Sequence, residues 1–269
     1  MRQPRVIPGF GLSMGITIFW LSGIILIPLA ALFIKAAGLG PSEWWNILSS
    51  PRVLAAARLT FGASAAAATV SMILGLLVTW VLVRYEFPGR RILDGMVDLP
   101  FALPTAVAGI TLTTIYAPTG WLGGYLEKIG IQGAYSPFGV FLALTFIGFP
   151  FVVRTVQPVM EDLGSELEEA AATLGAGRWT TFRRIILPAL TPALITGFTL
   201  AFARAIGEYG SVIFISGNLP MKTEILPLLI VSQLEQFRYE AAAVIAAGML
   251  IVSFLLLFLI NLLQRRIAR

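Results

Sequence analysis

Along the chain the apolar positions fall into long blocks, with few of the short alternations that mark strands. Six blocks reach or approach the roughly 20 residues that a helix needs to cross a bilayer. They lie at about 10–34, 59–83, 97–117, 137–153, from Ile185–Pro192 to about 215, and 241–263. The pattern predicts an all-α, polytopic membrane protein with about six transmembrane helices, forming one domain over residues 1–269. Blocks three and five are interrupted. Asp98 stands at the edge of the third with Pro100 and Pro104 inside it, and Arg204 and Glu208 fall within the fifth. Arg2 and Arg5 precede the first block as in a signal peptide, but its apolar run exceeds the 7–15 residues of a signal core. A retained helix is the expectation.

Composition removes the soluble alternative. Hydrophobic residues make up 57% of the 269 residues, charged residues only 12%, and mean hydropathy is +0.86. A soluble domain carries about 25% charged residues, so too few charges are present to cover a water-facing surface. Cysteine and histidine are both absent. Disulfides, thiol nucleophiles, imidazole ligands and Ser-His couples are therefore excluded. A net charge of +5 fits cytoplasmic loops of a membrane protein and gives little support to nucleic-acid binding. With the N-terminus inside, 12 basic residues fall on the cytoplasmic side and 7 on the other. Arg58 and Arg204 are counted outside although each lies near or within a helix. Both termini are expected in the cytoplasm. No internal repeat, linker or low-complexity tract is visible.

Two connections are longer than turns. Residues 216–240 form an external segment whose short apolar run, Ile225 to Val231, predicts a small helix at or dipping into the membrane surface. Residues 154–184 form a cytoplasmic loop holding five of the 14 acidic residues. Within it Leu163, Leu167, Ala170, Ala171 and Leu174 recur at helical spacing as one narrow stripe, with Glu166, Glu168 and Glu169 largely off it. Gly175 and Gly177 act as stops. Arg178, Arg183 and Arg184 follow, and Pro188 marks the start of the next span. The stripe of small residues suits close approach by another protein. An interfacial helix touching lipid headgroups has the same pattern.

The spacing of this loop narrows the choice. Glu169-Ala170-Ala171, three residues, Gly175, nine residues, Ile185, one residue and Leu187-Pro188 resemble the EAA loop of ABC importer permeases at every anchor. Asp98-Leu99-Pro100-Phe101-Ala102-Leu103-Pro104-Thr105, Phe149-Pro150-Phe151-Val152-Val153-Arg154 with Gln157-Pro158, and Ala203 through Ser211 are similar to the sulfate/thiosulfate permeases of that family, CysT type. So are Ser216-Gly217-Asn218 and Lys222-Thr223-Glu224. Together these segments cover most of residues 60–263. The resemblance implies the type I ABC importer permease fold in the bacterial inner membrane. It implies contact with an ATPase through Glu169, Ala170, Ala171, Leu174, Gly175, Ile185 and Pro188. It also implies an ATP-binding (CysA-like) dimer, a second permease (CysW-like, or this chain itself) and a periplasmic sulfate-binding protein as partners. No G-x-x-x-x-G-K-[ST] occurs, and none of Lys35, Lys128 and Lys222 follows a glycine. ATP and Mg therefore belong on the separate ATPase, and this chain is expected to bind no cofactor, to hold no metal and to be no enzyme. The resemblance alone selects sulfate over molybdate or tungstate, which are tetrahedral dianions of nearly the same shape.

Thr105, Arg154, Arg204, Glu208 and Ser211 are the candidate lining of a substrate path. A charge near the bilayer centre costs at least about 2.5–3.5 kcal/mol. Arg204 and Glu208, at i and i+4, can face one another, either as an internal pair or as a gate for a dianion. If the span starts near Pro192, Arg204 lies about 18 Å in; if it starts at Ile185, the residue nears the external face. Thr105, Thr111, Thr113 and Thr114 offer hydroxyls to an oxyanion, although helical threonines more often bond their own backbone. Arg154 suits a positive-inside anchor better than an exit-gate charge, and Arg58 suits snorkelling. Ser13 sits in a formal G-x-S-x-G, but without histidine the small residues are better explained by close helix packing. An ion-coupled secondary transporter would show several intramembrane carboxylates and a repeat. Glu208 is the single clear candidate. An intramembrane enzyme lacks its catalytic groups.

The charge distribution makes a topological prediction. Alkaline phosphatase fused after Arg91, Arg183 or Arg269 should be inactive, and fused after Lys128 or Lys222 active. The reverse pattern would invert the orientation.

Overall fold

A computed structural model describes residues 9–267, with side chains through Gln264. Arg2, Arg5 and Arg269, and the side chains of Arg265 and Arg266, all counted above for orientation, lie outside the described residues. Among the described residues there is no strand. Five helices have the length and apolarity to cross a membrane. They are α1 (Phe10–Ala36), α2 (Pro51–Arg84), α5 (Pro137–Asp162), α7 (Arg178–Ile206) and α9 (Tyr239–Ile267). Shorter helices are α3 (Arg90–Val97), α4 (Thr105–Tyr116), α6 (Glu166–Thr173) and α8 (Leu226–Glu235).

The third apolar block is not one helix. Pro104 forces the residue before it out of the helical region, and Leu103 is extended at φ −86°, ψ 133°. The block breaks there, leaving a turn at Leu99–Ala102 and the 12-residue α4. It still crosses. A Cβ at Gly75 would meet Val152 and one at Gly148 would meet Ser71, so α2 and α5 run parallel. The chain between them must return to the end where α2 began. Asp98 binds Arg154 near the C-terminal end of α5, the inner end in the orientation that the loop charges predict, and Ala134 N donates to Tyr116 O beside its N-terminal, outer end. Residues 98–116 thus cover the same thickness as the facing stretch of α5, with the broken block as the sixth crossing.

Helix starts follow local chemistry that hydropathy does not weigh. Ser50-Pro51 opens α2, with Val53 N donating to Ser50 Oγ, and Ser136-Pro137 opens α5, with Gly139 N donating to Ser136 Oγ. A capping serine followed by proline at the first helical position suits both. So α2 begins eight residues before its apolar run. Neither does Pro188 open the fifth span, since α7 is helical from Arg178 and ends at Ile206. A π turn at Phe182–Ile186 precedes Pro188, as one at Ser22–Leu26 precedes Pro28. Each proline lacks the N–H for the carbonyl four residues back and its ring crowds that carbonyl, so a wider turn carries the helix past it.

The centre of the bundle is α5 packed between α2 and α7. Small residues set how closely they approach. A Cβ at Gly75 would stand 2.6 Å from Val152 Cγ1, and one at Gly197 would stand 3.0 Å from Val152 Cα. Ala67, Ala68, Ala143 and Ala201 are buried alongside. In lipid, where apolar burial between helices has little driving force, such close backbone contact supplies the attraction.

At the outer end α8 covers the bundle, buried through Leu226, Leu228 and Leu229 rather than lying on the surface. Arg52 holds Glu224 through two bonds of 2.8 and 2.7 Å, and Leu226 N donates to Thr60 Oγ1. The Glu224 side chain has no exposed surface, so losing its cation strands a buried charge. Arg52→Ala should destabilise the protein more than Arg52→Ala with Glu224→Ala. Thermal unfolding in detergent checks the order, and equal losses would mean that the pair is not coupled.

Candidate functional site

Two interrupted segments meet inside the bundle. One is the start of α4 after the Pro104 break; the other is the link Gly207–Ser211 after α7. Pro104 O accepts from Ala108 N, which leaves the first-turn N–H groups of α4 without intrahelical acceptors. The two backbones touch because of glycines. A Cβ at Gly210 would lie 2.2 Å from Thr105 Oγ1, and one at Gly109 would lie 2.4 Å from Ser211 O. Four of the five candidate path residues, Thr105, Arg204, Glu208 and Ser211, come together here.

Glu208 organises this junction. Its buried carboxylate accepts from Arg204 Nη1 at 2.5 Å, from Ser211 N at 2.9 Å and from Ser211 Oγ at 3.0 Å. Three donors offset the cost of a carboxylate out of water. Arg204 is about one-third exposed, and among the described residues its only hydrogen-bond partner is Glu208. Its remaining N–H groups are available. The hydroxyl of Thr105 bonds no described residue, whereas Thr113 and Thr114 bond Gly109 O and Ile110 O in their own helix. Depth follows from packing. Ala201 faces Gly148 and Gly197 faces Val152, so Arg204 is level with Thr145. That is eight residues inside the outer end of α5, about 12 Å.

Arg154 lies elsewhere, at the inner end of α5. Its guanidinium bonds Asp98 Oδ1 and Oδ2, Asp94 Oδ1, Asp94 O and Gln157 Oε1 at 2.6–2.7 Å. An arginine has five N–H donors, and all five are engaged, so none faces a substrate. Arg154 ties the segment before the third crossing to α5. Arg58 is exposed on α2, and Ser13 Oγ bonds Phe10 O. A close-packed partner for the Ser13 face is absent among the described residues, since Gly11 and Gly15 have open space around them.

Within the 154–184 segment, α5 continues to Asp162, which leaves residues 163–177 between the long helices. Here α6 ends as its glycine suggests. Gly175 has φ +80°, Ala176 N donates to Ala171 O and Gly175 N to Ala172 O, the paired bonds of a Schellman stop. Ser165 Oγ donates to Glu169 Oε1 at 2.8 Å at the other end. The stripe divides. Ala171 is buried and Leu163 packs on the core, holding α6 to the bundle. Glu169, Ala170, Leu174 and Gly175 face outward, Leu174 at 87% exposure. Ile185 and Pro188 sit on α7 beyond the glycine turn, Ile185 half-buried and Pro188 exposed.

Sequence reasoning missed the counter-charges. Asp94 and Asp98 are 56–60 residues from Arg154, Glu224 is 172 from Arg52, and Glu168 lies on α6, far along the chain from Arg84. The available signal was the scarcity of acidic residues in an apolar chain, which gives each intramembrane or boundary carboxylate few reasons to be present other than pairing. No cluster of three or more metal-ligating side chains occurs among the described residues.

Comparison with known proteins adds family evidence. Residues 71–269 match the family model described as binding-protein-dependent transport system inner membrane component. The sulfate transport system permease protein CysT of Escherichia coli K12 is 48% identical over 265 residues, covering 98% of this chain and 96% of the relative. That of Synechocystis is 50% identical over 250 residues, covering 93% and 87%. A chain in the crystal structure of a bacterial ABC transporter involved in the import of the acidic polysaccharide alginate superposes with TM-score 0.78 at 18% identity, covering 97% of both chains. A second structure, with a pentasaccharide-bound periplasmic protein, gives 0.78 at 19% identity, covering 96% and 94%. The MetNI methionine transporter gives 0.56 at 18%, covering 85% and 97%. These structural likenesses concern the fold.

The glycine contact at the junction is directly testable. Gly210→Ala should cost about 1–3 kcal/mol of stability, the usual scale for overpacking, and Thr105→Ala in the same chain should recover part of it. Unfolding in detergent measures both; no recovery in the double variant would mean that the two segments do not touch.

Proposed function

The chain belongs to the family of binding-protein-dependent transport system inner membrane components, and from that premise we propose that it is the CysT-type permease of an ATP-driven sulfate/thiosulfate importer. The near-full-length identity to named sulfate permeases supports this reading. The exposed face of α6 and the Glu208 junction supply its two working parts. The chain is a multi-pass permease subunit of the inner membrane, and the chemistry of ATP takes place elsewhere. Its partners are an ATPase pair, a second permease and a periplasmic binding protein. We assign these as CysA-like, CysW-like and sulfate-binding, with residues 1–269 forming a single permease domain and both termini in the cytoplasm.

The cycle follows from differential binding. ATP closes the ATPase pair and draws the coupling helices together, the bundle opens outward and receives sulfate, and hydrolysis resets it. Such a switch works only if the α6 contact has different energies in the two states. Glu169, Ala170, Leu174 and Gly175 form the docking face in this reading. Ala171, Ile185 and Pro188 position it.

Along the path, a dianion must be attracted without being trapped, because passage requires binding strong enough to enter and weak enough to leave. Arg204 with Glu208 meets that need. The pair is formally neutral, yet Arg204 keeps donors on its exposed side. Thr105 Oγ and the open first turn of α4 add further donors, as broken helices do where they meet anionic substrates. Ser211 contributes by holding Glu208. Arg154 acts at the inner end as a tie and not as a ligand. Molybdate or tungstate transport is the nearest alternative, and ion-coupled transport the more distant one.

Glu169→Lys reverses a charge on the docking face, and Gly175→Asp puts an anion and a strained φ at a helix C-terminus. Each should reduce ATP-dependent uptake of labelled sulfate at least about tenfold, a common size for coupling between sites, with the protein still in the membrane. Undiminished uptake by both would remove the coupling assignment. Unlabelled thiosulfate should compete for uptake; stronger competition by molybdate would move the assignment to that anion.

A further inference from the structure

At its inner end α2 grips the coupling segment from two sides. Trp80 and Arg84 lie one turn apart there. Arg84 Nη2 stands 3.0 Å from Glu168 Oε1 on α6, and the guanidinium carbon is 5.9 Å from the Trp80 ring. Trp80 also meets Phe182 edge-on at 5.6 Å, and Phe182 stacks on Trp179 at 5.7 Å. Charge therefore joins α2 to the helix before the glycine turn, and aromatic contact joins it to the helix after. A cleft of about 840 Å³ opens between these groups.

The quality of this ion pair separates it from the others. Arg52–Glu224 and Arg154–Asp98 are two-pronged and well aligned. Arg84 and Glu168 are within ion-pair distance but share no aligned hydrogen bond. Arg84 Nε and Nη2 and Glu168 Oε1 are buried without one. A fully satisfied charge network is rigid, because removing a partner strands a buried charge. A close, misaligned pair loses less when its members separate. Arg84 is also only 16% exposed, so it is not a snorkelling anchor. Favourable placement at a helix C-terminus explains a cation there but not the particular pairing with Glu168.

We propose that Arg84 and Trp80 are positioning residues that transmit movement of α6 into α2, with the Arg84–Glu168 contact changing between the two states of the transporter. Through α2 the movement reaches α5 and α7, which pack on it along their lengths. This inference rests on the assignment of α6 as the coupling helix.

The test uses the whole complex, with both permeases and the ATPase in proteoliposomes, and compares ATP hydrolysis with and without sulfate-loaded binding protein. Arg84→Ala and Glu168→Ala should each reduce that stimulation about tenfold while the ATPase still co-purifies. The exchange Arg84→Glu with Glu168→Arg should restore most of it, and basal ATP hydrolysis should stay unchanged throughout, whereas a merely structural role would lower assembly and basal hydrolysis together with the stimulation. Wild-type stimulation in both single variants, or an exchange no better than either, overturns the proposal. If Arg84→Ala fails to reach the membrane, Glu168→Ala, which leaves the long helices unaltered, decides. Glu169→Lys is run beside them. If it leaves stimulation intact, the coupling-helix assignment fails; if it abolishes stimulation while Glu168→Ala does not, only the role of Arg84 and Trp80 fails.

Discussion

A carboxylate inside a bundle that lipid surrounds must find its donors within the protein, and Glu208 finds three. Arg204 reaches it from the last turn of α7, and the amide and hydroxyl of Ser211 close on it from the link beyond. Without that set of bonds the break after Ile206 would leave backbone and charge exposed to hydrocarbon. The Pro104 break on the facing segment raises the same difficulty and meets it by contact with the first. Two discontinuities, each costly alone, are placed together so that each covers the other. The irregular region is then confined to one level of the bundle, about a third of the way in from the outer end.

Around this junction the structure divides into tightly fastened parts and one segment that is held less tightly. The close approach of α2, α5 and α7 depends on Gly75, Gly148 and Gly197, whose missing side chains let backbones meet. Arg52–Glu224 fastens the outer cap, and Arg154 with Asp94 and Asp98 fastens the inner end of the third crossing. These contacts engage nearly all the donors and acceptors that they bring out of water. The segment that carries α6 is held more loosely, by Ala171, Leu163, one misaligned ion pair and stacked rings. An element that responds to a partner has to come from such less strongly held regions.

Broken and continuous helices alternate: among the described residues five helices are long and apolar enough to cross, and the third apolar block is divided at Pro104. The dianion path proposed above needs polar backbone and hydroxyls at depth, and an unbroken apolar helix offers neither. The third crossing gives up helical continuity at Pro104, which opens the first turn of α4 and frees the hydroxyl of Thr105.

The sequence by itself determined the apolar surroundings, the long apolar spans and the short helix that ends at the Gly175 stop. Apolar block length reports the bilayer directly, and the Glu169-to-Pro188 spacing and the Gly175 stop are local properties of a single chain segment. Helix ends were less legible, because Ser50-Pro51 and Ser136-Pro137 act through capping and the π turns act through proline geometry, none of which hydropathy measures. Only the tertiary structure decided which charges meet. Arg154 reads as a free basic anchor until Asp94 and Asp98, more than 50 residues away, engage every donor that it has. Arg204 with Glu208 was visible as an i, i+4 pair, but the seat that Ser211 and Gly210 give it against Thr105 arises from two distant backbones in contact. Periodicity records how a segment meets its surroundings, whereas the partner of a buried charge depends on packing between segments.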